Sequence, residues 1–152
     1  MNEHIAQRVR FPSEPPEART PGRVSASFAP DPCSVRAARA AADRLLEGAD
    51  PSEEFQFALR LVVSELMTNA VEHGSPGEQI QLELILYRDH AHVSIRNLGA
   101  GVDMTRLRRG RPDRGRGLEI VAALSDRWGI ESGRAGTTMT ARVPRTSSRA
   151  RA

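Results

Sequence analysis

Along the stretch FALRLVVSELMTNAVEHG, the residues Leu59, Val62, Val63, Leu66, Met67, Ala70 and Val71 recur at i, i+3, i+4 and i+7. That period places them on one stripe of an α-helix, and a stripe this apolar needs a surface to cover it. Two strand candidates follow, QIQLELILY and AHVSIRN, joined by a short turn around Arg88, Asp89 and His90. Upstream, GRVSASFAP alternates Val24, Ala26 and Phe28 at the period of a strand. DPCSVRAARAAADRLLEG predicts a further helix, with Asp31 as N-cap, Pro32 at its first position and Gly48 at its stop. DPSEEF repeats that start signal. Asp50 is expected to cap the long helix, with Pro51 after it and Glu53 at the capping-box position. HGSPG is expected to end that helix near Glu72.

Beyond the paired strands lies a glycine- and arginine-rich stretch, NLGAGVDMTRLRRGRPDRGRG. A third helix (LEIVAALSD), a segment RWGIES and a last strand TTMTARV follow it. The order is strand, two helices, two strands, loop, helix, two strands. It predicts an α+β sandwich, one layer of antiparallel or mixed sheet with helices on one face.

At 152 residues the chain fits one domain of ordinary size. Residues 1–22, rich in Pro, Glu and Arg and without apolar periodicity, are expected to be a disordered arm, residues 23–144 the folded domain and residues 145–152 a basic tail. Cys33 is alone, which excludes an internal disulfide and fits a reduced, cytoplasmic setting. No apolar run approaches the roughly 20 residues of a membrane span, and the first residues lack a signal-peptide core. Every basic side chain other than histidine is arginine, yet the net charge is only +3, so overall basicity says little about nucleic acid.

The long helix carries more than its stripe. Glu65, Asn69 and His73 are four residues apart, in a shallow row at the stripe's edge, where a helix borders a pocket. Mg²⁺ takes oxygen ligands and is often held by one or two protein oxygens plus substrate phosphates, which an Asn69 oxygen suits. A carboxylate one turn earlier, Glu65, could accept a proton beside such a metal. His73 could donate to a phosphate or simply pack at the helix end. Polar residues on a solvated flank give the same spacing, so the row alone is a weak signal. HAH at His90 and His92 makes a poor zinc site, because no further ligand is evident.

Three glycine segments lie downstream in order: NLGAG with Gly99 and Gly101, GRGL with Gly115, Gly117 and Leu118, and GTTM with Thr137 and Thr138. Glycines let backbone approach a ligand closely, and N–H groups at a helix start can receive phosphate. With SELMTNAVEHG, this series resembles the ATP-binding domain family of histidine kinases, type II topoisomerases and MutL. Within it, the chain looks most like the small bacterial anti-sigma-factor serine kinases and stand-alone regulatory ATPase domains. SELMTNAVEHG resembles the N-box, and the three segments resemble the three glycine boxes, over roughly residues 23–144.

The resemblance implies a Bergerat, histidine kinase-like ATPase fold, a two-layer sandwich of mixed β-sheet with helices on one face. It implies ATP and Mg²⁺ as cofactors, with Asn69 as the Mg²⁺ ligand and Glu65 as general base. Gly99 and Gly101 would shape the adenine side, and Met104 to Arg114 would be the ATP lid. Gly115, Arg116, Gly117 and Leu118 would meet phosphates, and Thr137 or Thr138 would hold the base from the sheet floor. The first glycine box usually opens with Asp, whose carboxylate accepts from the adenine amino group. Here that residue is Asn97. An amide oxygen can accept the same bond without charge assistance, while its nitrogen can donate, so adenine and guanine are both open.

The function so implied is an ATP-dependent serine/threonine kinase acting as an anti-sigma factor. Its partners would be a STAS-type anti-anti-sigma factor, which it phosphorylates, and a sigma factor; a homodimer is compatible with the family. The alternative is a non-catalytic module of the same fold that regulates a partner by contact. RLRRGRPDRGR, with six arginines and one aspartate, fits a solvated loop, a lid over triphosphate or a docking patch for an acidic partner. Direct nucleic-acid binding is not expected, because no aromatics are interleaved for stacking.

Overall fold

The computed structural model describes residues 19–74, 77–98 and 117–145, with side chains from residue 22 onward. Residues 1–18, the glycines Gly99, Gly101 and Gly115, Arg116, the segment from Met104 to Arg114 and residues 146–152 lie outside the described residues.

The elements are β1 (Arg19–Phe28), α1 (Cys33–Leu46), α2 (Glu53–His73), β2 (Ile80–Tyr87), β3 (His90–Asn97), α3 (Gly117–Leu124), β4 (Arg127–Gly133) and β5 (Gly136–Pro144). The strands form one five-stranded sheet in the order β1-β2-β3-β5-β4. Every pairing is antiparallel, so the sheet is not mixed. β1 starts at Arg19, inside the stretch expected to be a disordered arm, and its register slips between Arg19 and Arg23 before regular pairing begins.

Alternation sorts the strands into two faces. Leu82, Leu84, Leu86, Val93, Ile95, Met139, Ala141 and Val143 are buried in one cluster with Ala38, Leu59, Val62, Val63, Leu66 and Met67 from the helices. The residues between them, such as Gln81, Glu83, Ser94 and Arg96, belong to the opposite, polar face. Registered rows cross the sheet: Val24–Leu84–Val93–Ala141–Trp128 and, beside it, Ala26–Leu82–Ile95–Met139–Ile130. These two rows are the floor that the helices cover, α1 over β1 and β2 and α2 over β3 and β5. Trp128 packs against the core from the edge strand. His90 is a packed residue: it is buried, stacks on Tyr87 with 4.5 Å between ring centroids, and has Nδ1 2.6 Å from Asp89 Oδ1.

The caps divide between expectation and correction. The Cys33 amide donates to Asp31 Oδ1 at 2.8 Å, and Pro32 already has helical φ and ψ of −53° and −31°. That bond holds the Asp31 carboxyl below its ordinary range. Gly48, with φ of 74°, follows α1 as expected for a helix stop. The start of α2 differs. Its N-cap is Ser52, whose hydroxyl accepts from the Phe55 amide at 3.2 Å, while Asp50 takes a left-handed φ of 47° in the preceding turn. Pro51 is therefore outside the helix, and Glu53 is its first residue rather than a capping-box partner. Glu53 and Glu54 still favour the positive helix start.

Replacing Ser52 by Ala is expected to lower unfolding free energy by about 1 kcal/mol, the usual cost of a lost N-cap. Asp50→Gly should leave stability nearly unchanged or slightly raised, because glycine adopts positive φ without strain. Urea denaturation of both variants checks this; a larger loss at Asp50 would return the cap to that residue.

Candidate functional site

The rows of the sheet change character at one end. Beyond the two apolar rows, the next helix-facing row reads Phe28–Ile80–Asn97–Thr137–Ser132. Three neighbours in it are polar, and Ser132 Oγ and Thr137 Oγ1 are 3.0 Å apart. Thr137 is only 1% exposed. Thr138 pairs with Arg96 and, by strand alternation, belongs to the opposite face. Of the two threonines proposed to hold the base, the register brings only Thr137 to the site.

The C-terminal half of α2 lies over this row. Burying Leu66, Met67 and Ala70 leaves Glu65, Asn69 and His73 half-buried on the flank, as the edge position predicts. Asn69 has its amide nitrogen buried without a hydrogen-bond partner. The protein therefore does not tie down that amide, which leaves it available to a ligand. His73 occupies the last helical turn, where a basic residue suits the negative end of the helix.

Glu65 meets the start of α3. A Cβ on Gly117 would be 2.6 Å from Glu65 Oε2, so the carboxylate and the first residue of α3 are in direct apposition. A side chain at position 117 would displace the Glu65 carboxylate from this place. Leu118, the next residue, packs its side chain on the core and so anchors the helix start over the carboxylate. Partial burial, and then the negative charge of Glu72, raise the Glu65 carboxyl above its ordinary value of 4.5. A base shifted towards neutrality is better matched to proton transfer at working pH.

Asn97 closes the other side. It is 5% exposed, at the end of β3, and its Nδ2 donates to the Ala70 carbonyl oxygen at 2.8 Å. Ala70 is in the last turn of α2, where carbonyls have no intrahelical partner, so this bond caps the helix end. Asn97 Oδ1 is buried and has no hydrogen-bond partner among the described residues. An orphaned buried acceptor costs about 1–3 kcal/mol, so a ligand that donates there would be favoured. The adenine amino group is such a donor, and the residues present fit an adenine nucleotide.

The role of Gly74 was not legible as such. HGSPG has the composition of a helix stop, but Gly74 has an ordinary extended backbone, φ −73° and ψ 147°. Glycine is required there for space: a Cβ would be 2.9 Å from the Ala70 oxygen and 3.1 Å from Asn97 Nδ2. Nothing in the local sequence points to the Ala70 carbonyl as part of the site, since its partner is 27 residues away. Among the described residues, no group of three or more His, Cys, Asp or Glu side chains could hold a metal ion. No described helix is long and apolar enough to cross a membrane.

Comparison with known proteins identifies the fold family. A family model for the histidine kinase-like ATPase domain matches residues 28–143. Among solved structures, the RsbU and RsbW domains of Rv1364c from Mycobacterium tuberculosis align with a TM-score of 0.63 at 21% identity, over 84% of this chain and 34% of that one. The histidine kinase domain from the Erythrobacter litoralis EL346 blue-light activated histidine kinase aligns with a TM-score of 0.50 at 21% identity, over 60% of this chain and 45% of that one. This chain thus spans about a third of the first structure's length and under half of the second's, and the likeness is one of fold. No curated protein sequence matches the chain significantly.

A carboxyl whose folded-state value is raised contributes stability that is present below its unfolded value and lost as pH rises through the folded one. Glu65→Gln removes that loss. The variant is expected to melt above the wild type near about pH 7, with the gain fading towards about pH 4. Paired thermal denaturation across that range checks this; a gain independent of pH would show that the carboxyl is not strained by burial.

Proposed function

The chain belongs to the histidine kinase-like ATPase domain family, and on that premise we propose that it is an ATP-dependent protein kinase that transfers phosphate to a serine or threonine of a small regulatory partner. The observation that carries the reading is the apposition of Glu65 and Gly117, with Asn69 one turn further along the same helix. This supports a reading in which Glu65 serves as general base and Asn69 as metal ligand beside the start of α3.

In this reading Asn69 contributes an oxygen to Mg²⁺, which, when bound, neutralises phosphate charge. The Leu118 amide at the start of α3 meets phosphate oxygens, and Gly115 and Arg116 extend that contact. Asn97 accepts from the adenine amino group, and Thr137 supports it from the sheet floor. His73 is assigned a phosphate contact at the helix end, and Gly99 and Gly101 the adenine side. Glu65 takes the proton of the acceptor hydroxyl as that oxygen bonds to the γ-phosphorus. The bond from phosphorus to the β–γ bridging oxygen breaks, and ADP leaves with that oxygen.

The partner class follows from the resemblance of the N-box and glycine boxes to anti-sigma-factor serine kinases. The substrate is accordingly a STAS-type anti-anti-sigma factor. Phosphorylating it weakens its hold and frees the kinase to sequester a sigma factor. The arginine-rich stretch supplies positive charge for an ATP lid or an acidic docking partner, and a homodimer and a cytoplasmic setting fit the same class.

Calorimetric titration with ATP, with and without Mg²⁺, is the direct test. Asn69→Ala is expected to abolish the Mg²⁺-dependent part of binding. Glu65→Gln should retain ATP binding while phosphoryl transfer to the partner falls by about 10²–10⁴-fold. Unchanged transfer in Glu65→Gln would overturn the base assignment. No ATP binding by the wild type would leave a regulator that works by contact alone.

A further inference from the structure

We propose that the outward crest where α2 meets α3, built from Phe57, Leu61, Ile120 and Ala123, is the surface on which the protein acceptor of the phosphate docks. That role depends on the kinase reading above, in which a protein must bring its hydroxyl to Glu65.

The row that carries Glu65, Asn69 and His73 does not begin at Glu65. Continued by fours towards the start of α2, it reaches Leu61 and then Phe57. Residues four apart follow one ridge of a helix, so all five share a single shallow ridge. Its C-terminal half is polar and its N-terminal half apolar. Phe57 is 65% exposed, and among the described residues no other large apolar side chain is exposed. Helix α1 lies on the other flank of α2, where Arg60 Nε is 3.3 Å from Asp43 Oδ1, and it leaves Phe57 uncovered.

Helix α3 supplies the second side of the crest. Its sequence GLEIVAAL holds one charged residue, Glu119, yet only Val121 is buried. Leu118 and Leu124 pack partly on the core, Ile120 is half-buried, and Ala122 and Ala123 are exposed. A helix apolar on nearly every side is ordinarily enclosed. Gly117, against the Glu65 carboxylate, sets α3 beside the ridge. Ile120 and Leu124, three and seven residues on, share the Gly117 side of the helix, and Ala123 lies outward of Ile120.

A lone exposed phenylalanine is ordinary and needs no explanation. Continuity with the reacting carboxylate is what gives this one an occupant. The acceptor hydroxyl must come within hydrogen-bond reach of Glu65, and the polypeptide that carries it must then rest on what adjoins Glu65. Phe57 is eight residues from Glu65, about 12 Å along the helix axis. The partner that fits is a folded protein with an apolar patch at about that distance from its acceptor serine or threonine, and an aromatic anchor in such a patch carries a large share of the binding energy.

The test purifies, one at a time, the STAS-domain proteins encoded by the same genome and follows transfer to each from radiolabelled ATP by the full chain. Phe57→Ser and Ala123→Arg alter exposed positions on two different helices, so both variants are expected to melt like the wild type. Each is expected to raise KM for the acceptor about tenfold or more, with kcat and the Kd for ATP unchanged. An unchanged KM in Phe57→Ser would overturn the docking surface alone. So would a lower KM, which would mean that a segment of this chain covers the crest. A wild-type dimer that Phe57→Ser converts to monomer in sedimentation would overturn it too, by giving the crest to a second copy. Transfer to none of the acceptors would overturn the kinase reading and the docking surface with it. Should Ala123→Arg fail to fold, Phe57→Ser decides.

Discussion

The structure depends on how one helix is pressed onto one sheet. Leu59, Val62, Val63, Leu66 and Met67 of α2 are each at most 1% exposed, and they lie over the central strands β3 and β5, with α1 beside them over β1 and β2. Fully burying a side chain of this size is worth roughly 1.5–3 kcal/mol. That contact fixes the rotation of α2 about its own axis to within a fraction of a turn. Once the rotation is fixed, the flank is fixed too, and Glu65 and Asn69 have no freedom to point elsewhere. The chemistry is a by-product of packing: the same 3.6-residue period that buries one set of residues aims the other.

The site exists because apolar rows give way to a polar one at the sheet's end. Asn97, Thr137 and Ser132 occupy positions that alternation assigns to the core face, yet they carry hydrogen-bonding groups. Buried polar groups on a sheet floor are costly unless paired. Asn97 is half satisfied, by Ala70, and its remaining oxygen is buried without a partner among the described residues. Across from it, Glu65 is desolvated enough to raise its carboxyl and remains near enough to the surface to exchange a proton.

What could be read in advance follows the reach of each physical rule. Periodicity is local, so the three helices and the strand pairs were legible, and so was the edge position of Glu65 and Asn69. The α2 cap was misplaced because Asp50-Pro51 and Ser52-Glu53 both carry start signals, and only the backbone decides between them: φ of 47° at Asp50 excludes it. Choosing between Thr137 and Thr138 required strand parity, which one residue of register reverses. The direction of the Asn97 amide was beyond reach, because it is set by a carbonyl on another element. HGSPG carries the signal of a helix stop, but not the space that the missing side chain of Gly74 leaves for the Ala70 oxygen and Asn97 Nδ2.

Asn97 has one more consequence. In the proposed site it would meet the base with a neutral group, whereas a triphosphate interacts with its surroundings through charge. Ionic strength screens the second kind of contact far more than the first. In the proposed site, added salt should weaken the hold on the phosphates while leaving discrimination between bases almost untouched. In such a site, affinity and selectivity for nucleotide would be governed by separate physical forces and could drift apart without any change in the protein's shape.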